Sequence, residues 1–158
     1  MSSAGGKIRR GVAVVTTVLA LAAGGVLVAA SPAAAATPAC NGQTYWWSAK
    51  WGVKLSVPIN TASSGVDVRG CLMRQGDGPS GGVGRAVRAL QQALNMCYQE
   101  RLTLDGDFGS LTKAALVRAQ RREGISADGV YGPQTADFLA FPFLSGNFVT
   151  TPCRSFYG

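Results

Sequence analysis

The chain has 158 residues, with 15 Lys or Arg against 8 Asp or Glu, four cysteines and no histidine. Without histidine there can be no Ser/His/Asp or Cys/His hydrolase site and no histidine-bound zinc centre. The formal charge of +7 comes without basic and aromatic interleaving or any nucleic-acid motif, so no nucleic-acid partner is expected.

Lys7, Arg9 and Arg10 precede an apolar run from Val12 to Ala30, followed by SPAAAAT. This order reads as a signal peptide spanning residues 1–36, cut after Ala36 because Ala34 and Ala36 satisfy the small-x-small rule. The run is also about long enough to cross a bilayer, but Gly24, Gly25 and its alanine-rich end favour removal. The expectation is a secreted or cell-wall-associated protein with no stable membrane anchor after processing. Removing the leader leaves 122 residues with 12 basic and 8 acidic side chains, net +4, enough for one small domain with a modest core. A charge this small suits an anionic polymer such as a bacterial wall.

Residues 37–79 form an N-terminal extension. In WGVKLSVPI, Trp51, Val53, Leu55, Val57 and Ile59 alternate with smaller or polar residues, the period of a strand. Pro58 assigns that strand to a sheet edge. NTASSG then supplies a turn, and VDVRGCLM is expected to return as the partner strand. The loop QGDGPSGG, residues 75–82, marks the boundary to a helical domain at residues 80–141. There Val83, Val87, Leu90, Leu94 and Cys97 recur at alternating steps of four and three, the apolar stripe of a helix. A second helix runs from about Ser110 to Arg122, stopped by Gly124, and a third begins at Pro133, a residue suited to the first helical position. The tail, residues 142–158, reads as irregular and folds back because Cys153 needs a partner.

An even cysteine count in a small exported domain argues for two disulfides. Three connectivities exist. The expected one joins Cys71 to Cys97, tying the approach of the first helix to its end, and Cys40 to Cys153, pinning both mature termini.

One turn is written twice, as LDGDFGSLT from Leu104 and as ADGVYGPQT from Ala127, each directly before a helix. Asp105-Gly106 and Asp128-Gly129 read as tight turns, since the short carboxylate accepts nearby backbone N–H groups and glycine tolerates positive φ. Phe108 and Tyr131 then point inward as anchors, with the Tyr131 hydroxyl reaching solvent. A calcium loop would need more spaced oxygen donors than Asp105 and Asp107, or Asp128 alone, provide. Glu100 and Glu123 sit at helix ends rather than as the paired carboxylates of a glycosidase. No catalytic residue, metal or cofactor is expected.

VRALQQALN followed by LDGDFGSLTKAALVRAQRREGISADGVYGPQTADFL resembles the peptidoglycan-binding domain-like family of three-helix modules. Leu90 and Gln91, the Asp105–Gly109 turn, Gln120, and the Asp128–Pro133 turn carry the likeness over about Val83 to Leu139. One departure is Ala119, where the family commonly has an aromatic residue. The resemblance implies a mainly α, disulfide-stapled fold: a three-helix bundle with two DGxxG turns, preceded by a short β-hairpin. It also implies non-catalytic binding to peptidoglycan or another anionic cell-wall polymer. Candidate ligand contacts are Asp105, Asp107, Phe108, Arg118, Gln120, Arg121, Asp128 and Tyr131. The alternative is a secreted protein-interaction module, an inhibitor or accessory subunit on the same scaffold. Tyr45, Trp46, Trp47 and Trp51 either pack the hairpin onto the helices or, if indoles stand exposed side by side, form a carbohydrate platform.

Overall fold

A computed structural model describes residues 36–62, 70–145 and 148–156. Residues 1–35 of the segment read as a signal peptide and the VDVR part of the expected return strand lie outside the described residues. The elements are β1 (Gly42–Ser48), β2 (Val53–Ile59), α1 (Gly81–Tyr98), α2 (Ser110–Arg122), α3 (Pro133–Phe138), β3 (Phe141–Ser145) and β4 (Phe148–Arg154).

The helices stand where periodicity and turn residues place them, but the expected mainly α bundle does not form. Helices of 18, 13 and 6 residues share the molecule with a four-stranded antiparallel sheet in the order β1-β2-β3-β4, so the architecture is mixed. Three corrections produce that sheet. β2 takes as its partner the upstream segment GQTYWWS, with Tyr45 opposite Ser56 and Trp47 opposite Lys54, rather than VDVRGCLM. The hairpin turns at residues 49–52, where the Gly52 N–H donates to the Ser48 carbonyl at 2.8 Å.

β2 is an interior strand, not an edge. Its pairing to β3 involves only Lys54 and Leu55, so Pro58 lies beyond that ladder and its missing N–H costs no bond to β3. The tail, in turn, is a hairpin. Phe141 and Phe143 alternate onto the core side of β3, a period of two too short to stand out in the sequence.

The core lies between the sheet and α1. Ala86, Val87, Leu90, Ala93 and Leu94 present a fully buried stripe toward Leu55 and Val57 of β2, Phe141 of β3, and Phe108, Leu116 and Tyr131 from the repeated half. Small alanines on that stripe let neighbouring elements approach closely. Tyr98 closes its far end: its hydroxyl donates to Glu123 Oε1 at 2.7 Å and accepts the Ala140 N–H at 2.6 Å. One side chain thereby links α1, the end of α2 and the entry to β3. Burial raises the Tyr98 hydroxyl pKa above its ordinary value, keeping it a neutral donor. α2 ends in a Schellman arrangement, with Gly124 at φ +69° and the Gly124 and Ile125 N–H groups donating to the Arg121 and Gln120 carbonyls.

The disulfides also differ from expectation, joining Cys40 to Cys71 and Cys97 to Cys153. Residues 38–40 run beside Leu72, exchanging the bonds Cys40 N–H to Leu72 carbonyl (3.0 Å) and Leu72 N–H to Pro38 carbonyl (2.9 Å). That ladder sets Cys40 against Cys71. Cys97, in the last turn of α1, instead reaches β4. Peptide mapping without reduction is expected to recover 40–71 and 97–153 linkages; a 71–97 peptide would contradict this fold. Replacing both Cys97 and Cys153 by alanine should cost about 4 kcal/mol of unfolding free energy by the loop-entropy relation, read from the urea midpoint.

Candidate functional site

The repeated turn is organised by a residue outside it. Gln91, in the middle of α1 and 1% exposed, donates its side-chain amide to Asp105 Oδ1 (2.7 Å), the Asp107 carbonyl (3.1 Å) and Thr112 Oγ1 (3.2 Å). Its Oε1 accepts the Gly106 N–H at 3.0 Å. Gln120, on α2 and fully buried, repeats the pattern. Its amide donates to Asp128 Oδ1, the Val130 carbonyl and Thr135 Oγ1, each at 3.0 Å, and its Oε1 accepts the Gly129 N–H at 2.9 Å. Within each turn the aspartate Oδ1 also accepts the N–H two residues on, from Asp107 at 2.9 Å and Val130 at 2.8 Å. A glutamine on one helix thus holds the turn that launches the next.

Both turn glycines have positive φ, +78° at Gly106 and +72° at Gly129. Their surroundings differ. A Cβ on Gly106 would stand 2.7 Å from the Gly84 carbonyl oxygen, whereas on Gly129 it would meet the flexible Lys113 side chain. Phe108 and Tyr131 are fully buried, and each backbone is bonded to the strap Met73–Asp77. Tyr131 exchanges two 2.8 Å bonds with Met73. The Phe108 N–H donates to Asp77 and its carbonyl accepts from Gly76. Contrary to expectation, the Tyr131 hydroxyl is buried and without a hydrogen-bond partner among the described residues; burial, then the charge of Asp137, raises its pKa.

A groove of about 250 Å³ opens beside the first turn, lined by Arg101, Thr103, Asp105, Asp107, Ser110 and Leu111 among others. The loop carrying Arg101 and Thr103 is pinned by Asn95, which donates to the Leu102 carbonyl and accepts its N–H. Leu111 is 75% exposed, an apolar side chain standing off the buried stripe of α2. The groove therefore offers a cation, two carboxylates, hydroxyls and one apolar contact. The Gln91 amide, then the Asp107 N–H, hold the Asp105 carboxyl below its ordinary range, so it is ionised near neutral pH.

Of the candidate contacts, only Asp105 and Asp107 line this groove. Gln120, Phe108 and Tyr131 are buried, and Asp128 is exposed at the second turn. Arg118 makes a two-pronged contact with Glu100, at 2.8 and 2.6 Å, which lowers the Glu100 pKa; Arg121 is exposed at the end of α2. Sequence reasoning passed over Arg101, Ser110 and Leu111, although Leu111, a leucine off the apolar stripe of its helix, was a readable signal. Among the described residues, no group of three or more His, Cys, Asp or Glu is placed to hold a metal.

Residues 83–139, a little over a third of the chain, match the family described as "Putative peptidoglycan binding domain". The match supports cell-wall binding in general. A zinc D-Ala-D-Ala carboxypeptidase from Streptomyces albus G is 41% identical over 86 residues, 51% of this chain and 34% of that protein. The chain thus spans about a third of that relative's length. A solved peptidoglycan-binding protein from Clostridioides difficile, in complex with glutamine hydroxamate, is similar at 24% identity and a TM-score of 0.39, covering 56% of this chain and 71% of that one. The two disulfides are consistent with an extracellular location, and no helix among the described residues is long and apolar enough to cross a membrane.

Replacing Gln91 or Gln120 by alanine is expected to cost about 2–4 kcal/mol each, because buried turn groups lose their partners, measured by denaturant unfolding. Gly106→Ala should destabilise more than Gly129→Ala, since only the former forces a Cβ onto backbone in addition to the φ strain. The lowered Asp105 pKa sets a sign with pH: its contribution is full above the ordinary carboxylate pKa of about 4 and is lost as pH falls through the folded-state value. Asp105→Asn should flatten the acid limb of the stability curve; an unchanged limb would contradict the amide contact.

Proposed function

We propose that the chain is a secreted, non-catalytic module that attaches to bacterial peptidoglycan through the groove beside the first turn. The observation that carries this reading is the position of the groove. It opens within the family-matched segment, on a turn held rigid by a buried glutamine, and its lining suits a wall peptide. Arg101 can pair with a peptide carboxylate in a two-pronged contact, and Asp107 and the hydroxyls of Thr103 and Ser110 can meet amide or amine N–H groups. Leu111 can cover an alanine methyl. Groups already fixed by a folded scaffold bind with less ordering cost.

Attachment without chemistry is supported by what the chain's residues can perform. All four cysteines are bridged, the chain has no histidine, and Glu100 and Glu123 are committed to Arg118 and Tyr98. The carboxypeptidase activity in the relative's name is not carried over, because this chain spans only a third of that protein.

The test is retention on purified peptidoglycan freed of secondary polymers. The protein should sediment with it at moderate salt and release no soluble muropeptides. Arg101→Ala with Leu111→Ala should reduce affinity at least about tenfold, roughly 1.4 kcal/mol, while leaving stability within about 0.5 kcal/mol as exposed substitutions usually do. Retention that vanishes with mild added salt would indicate charge attraction alone and overturn the reading.

A further inference from the structure

The second copy of the turn is an internal control on the first. Gln91 and Gln120 make the same set of bonds, to an aspartate, a glycine N–H, a backbone carbonyl and a threonine. Aligned on Asp105 and Asp128, however, four side chains that line the groove have no counterpart of like chemistry: Arg101 corresponds to Gly124, Asp107 to Val130, Ser110 to Pro133 and Leu111 to Gln134. At Asp107 the turn uses only the backbone, whose carbonyl accepts from Gln91 and Thr112 and whose N–H donates to Asp105. Val130 supplies the same bonds while carrying an apolar side chain. The charges of Arg101 and Asp107 are therefore not needed to build the turn.

Nor does the fold use those charges elsewhere. Arg101 and Asp107 are exposed and, among the described residues, neither side chain forms an ion pair or a hydrogen bond. Asp105, the other carboxylate of the groove, is occupied by the Gln91 amide and the Asp107 N–H and lies within reach of the Arg88 charge. What remains is a cation and an anion on the walls of one groove, each without a partner. The volume of about 250 Å³ falls below the roughly 300–1,000 Å³ of pockets that enclose drug-sized ligands. The groove therefore suits the end of a peptide branch better than a disaccharide. Leu111, 75% exposed, offers an aliphatic stem a surface to lie on.

From this difference between the copies we infer that the groove selects a zwitterionic branch end of a wall peptide, an ammonium and a carboxylate on one carbon of a diamino dicarboxylic acid, and so prefers stems that are not crosslinked. Arg101 pairs with the carboxylate, Asp107 takes the ammonium, and Leu111 covers the methylenes between that end and the peptide. Crosslinking acylates the amine, which removes its charge and leaves Asp107 desolvated without a counter-charge. A neutral branch or a glycan satisfies neither charge. The inference rests on the proposed attachment to peptidoglycan through this groove, and adds which chemical state of the stem is read.

Sedimentation of the secreted protein with purified peptidoglycan, either untreated or acetylated at its free amines with acetic anhydride, tests the inference. Acetylation makes the polymer more anionic, so net charge alone would strengthen its hold on a chain with excess basic residues. The expected result is the opposite, an affinity at least about tenfold lower, the effect of losing one charge-assisted hydrogen bond. A stem tripeptide ending in diaminopimelic acid should displace the protein from untreated peptidoglycan, and its form acetylated at the side-chain amine should require at least about tenfold more. Asp107→Asn should bind both polymers alike, at the parent's level on the acetylated one, with an unchanged urea midpoint because the turn uses only the backbone there. Equal affinity of the parent for both polymers, or an Asp107→Asn variant that still discriminates, would overturn the inference and leave attachment through the groove standing. No retention on untreated peptidoglycan would overturn both.

Discussion

Two buried glutamine amides organise the helical half of this protein. A primary amide has two N–H donors and one carbonyl acceptor, and Gln91 and Gln120 use both capacities on a single tight turn. An amide placed in a core without partners would cost several kcal/mol. Satisfied on all sides, it becomes a geometric constraint, because only one placement of the turn meets every bond. The constraint is relayed: α1 fixes the first turn through Gln91, that turn starts α2, and α2 fixes the second turn through Gln120. Each buried aromatic, Phe108 or Tyr131, then anchors its turn on the strap Met73–Asp77, which joins the repeats to one another.

Three short helices of this kind enclose little apolar volume, and a small chain leaves much of its surface wet. The sheet supplies the missing cover. β2 and β3 bring Leu55, Val57 and Phe141 to the stripe on α1, Tyr98 joins the ends of α1 and α2 to the start of β3, and Cys97–Cys153 binds α1 to β4. The N-terminal extension and the tail, which read as appendages, are structural partners of the helical segment.

This arrangement separates holding from contacting. Asp105 serves the backbone of its own turn, and Gln120, Phe108 and Tyr131 have no surface from which to touch a ligand. The exposed side chains that line the groove are their neighbours Arg101, Ser110 and Leu111, presented by a loop and a helix start next to the buried network. Residues that define a motif most clearly are here those that shape it, while the adjacent exposed positions face solvent.

What the linear chain determined by itself was local. The bounds of α2, the start of α3 at Pro133, the Gly124 stop and the two aspartate-glycine bends are decided by interactions within a few residues, where spacing and turn chemistry are legible. The partner of β2, the β3–β4 hairpin, the disulfide pairing and the linking role of Gln91 were decided only in three dimensions. GQTYWWS and VDVRGCLM are both plausible strands by composition, and four cysteines allow three pairings. What selected among them was the joint packing of α1 against the sheet and the ladder between residues 38–40 and Leu72. Those contacts join residues tens of positions apart, so no local pattern records them.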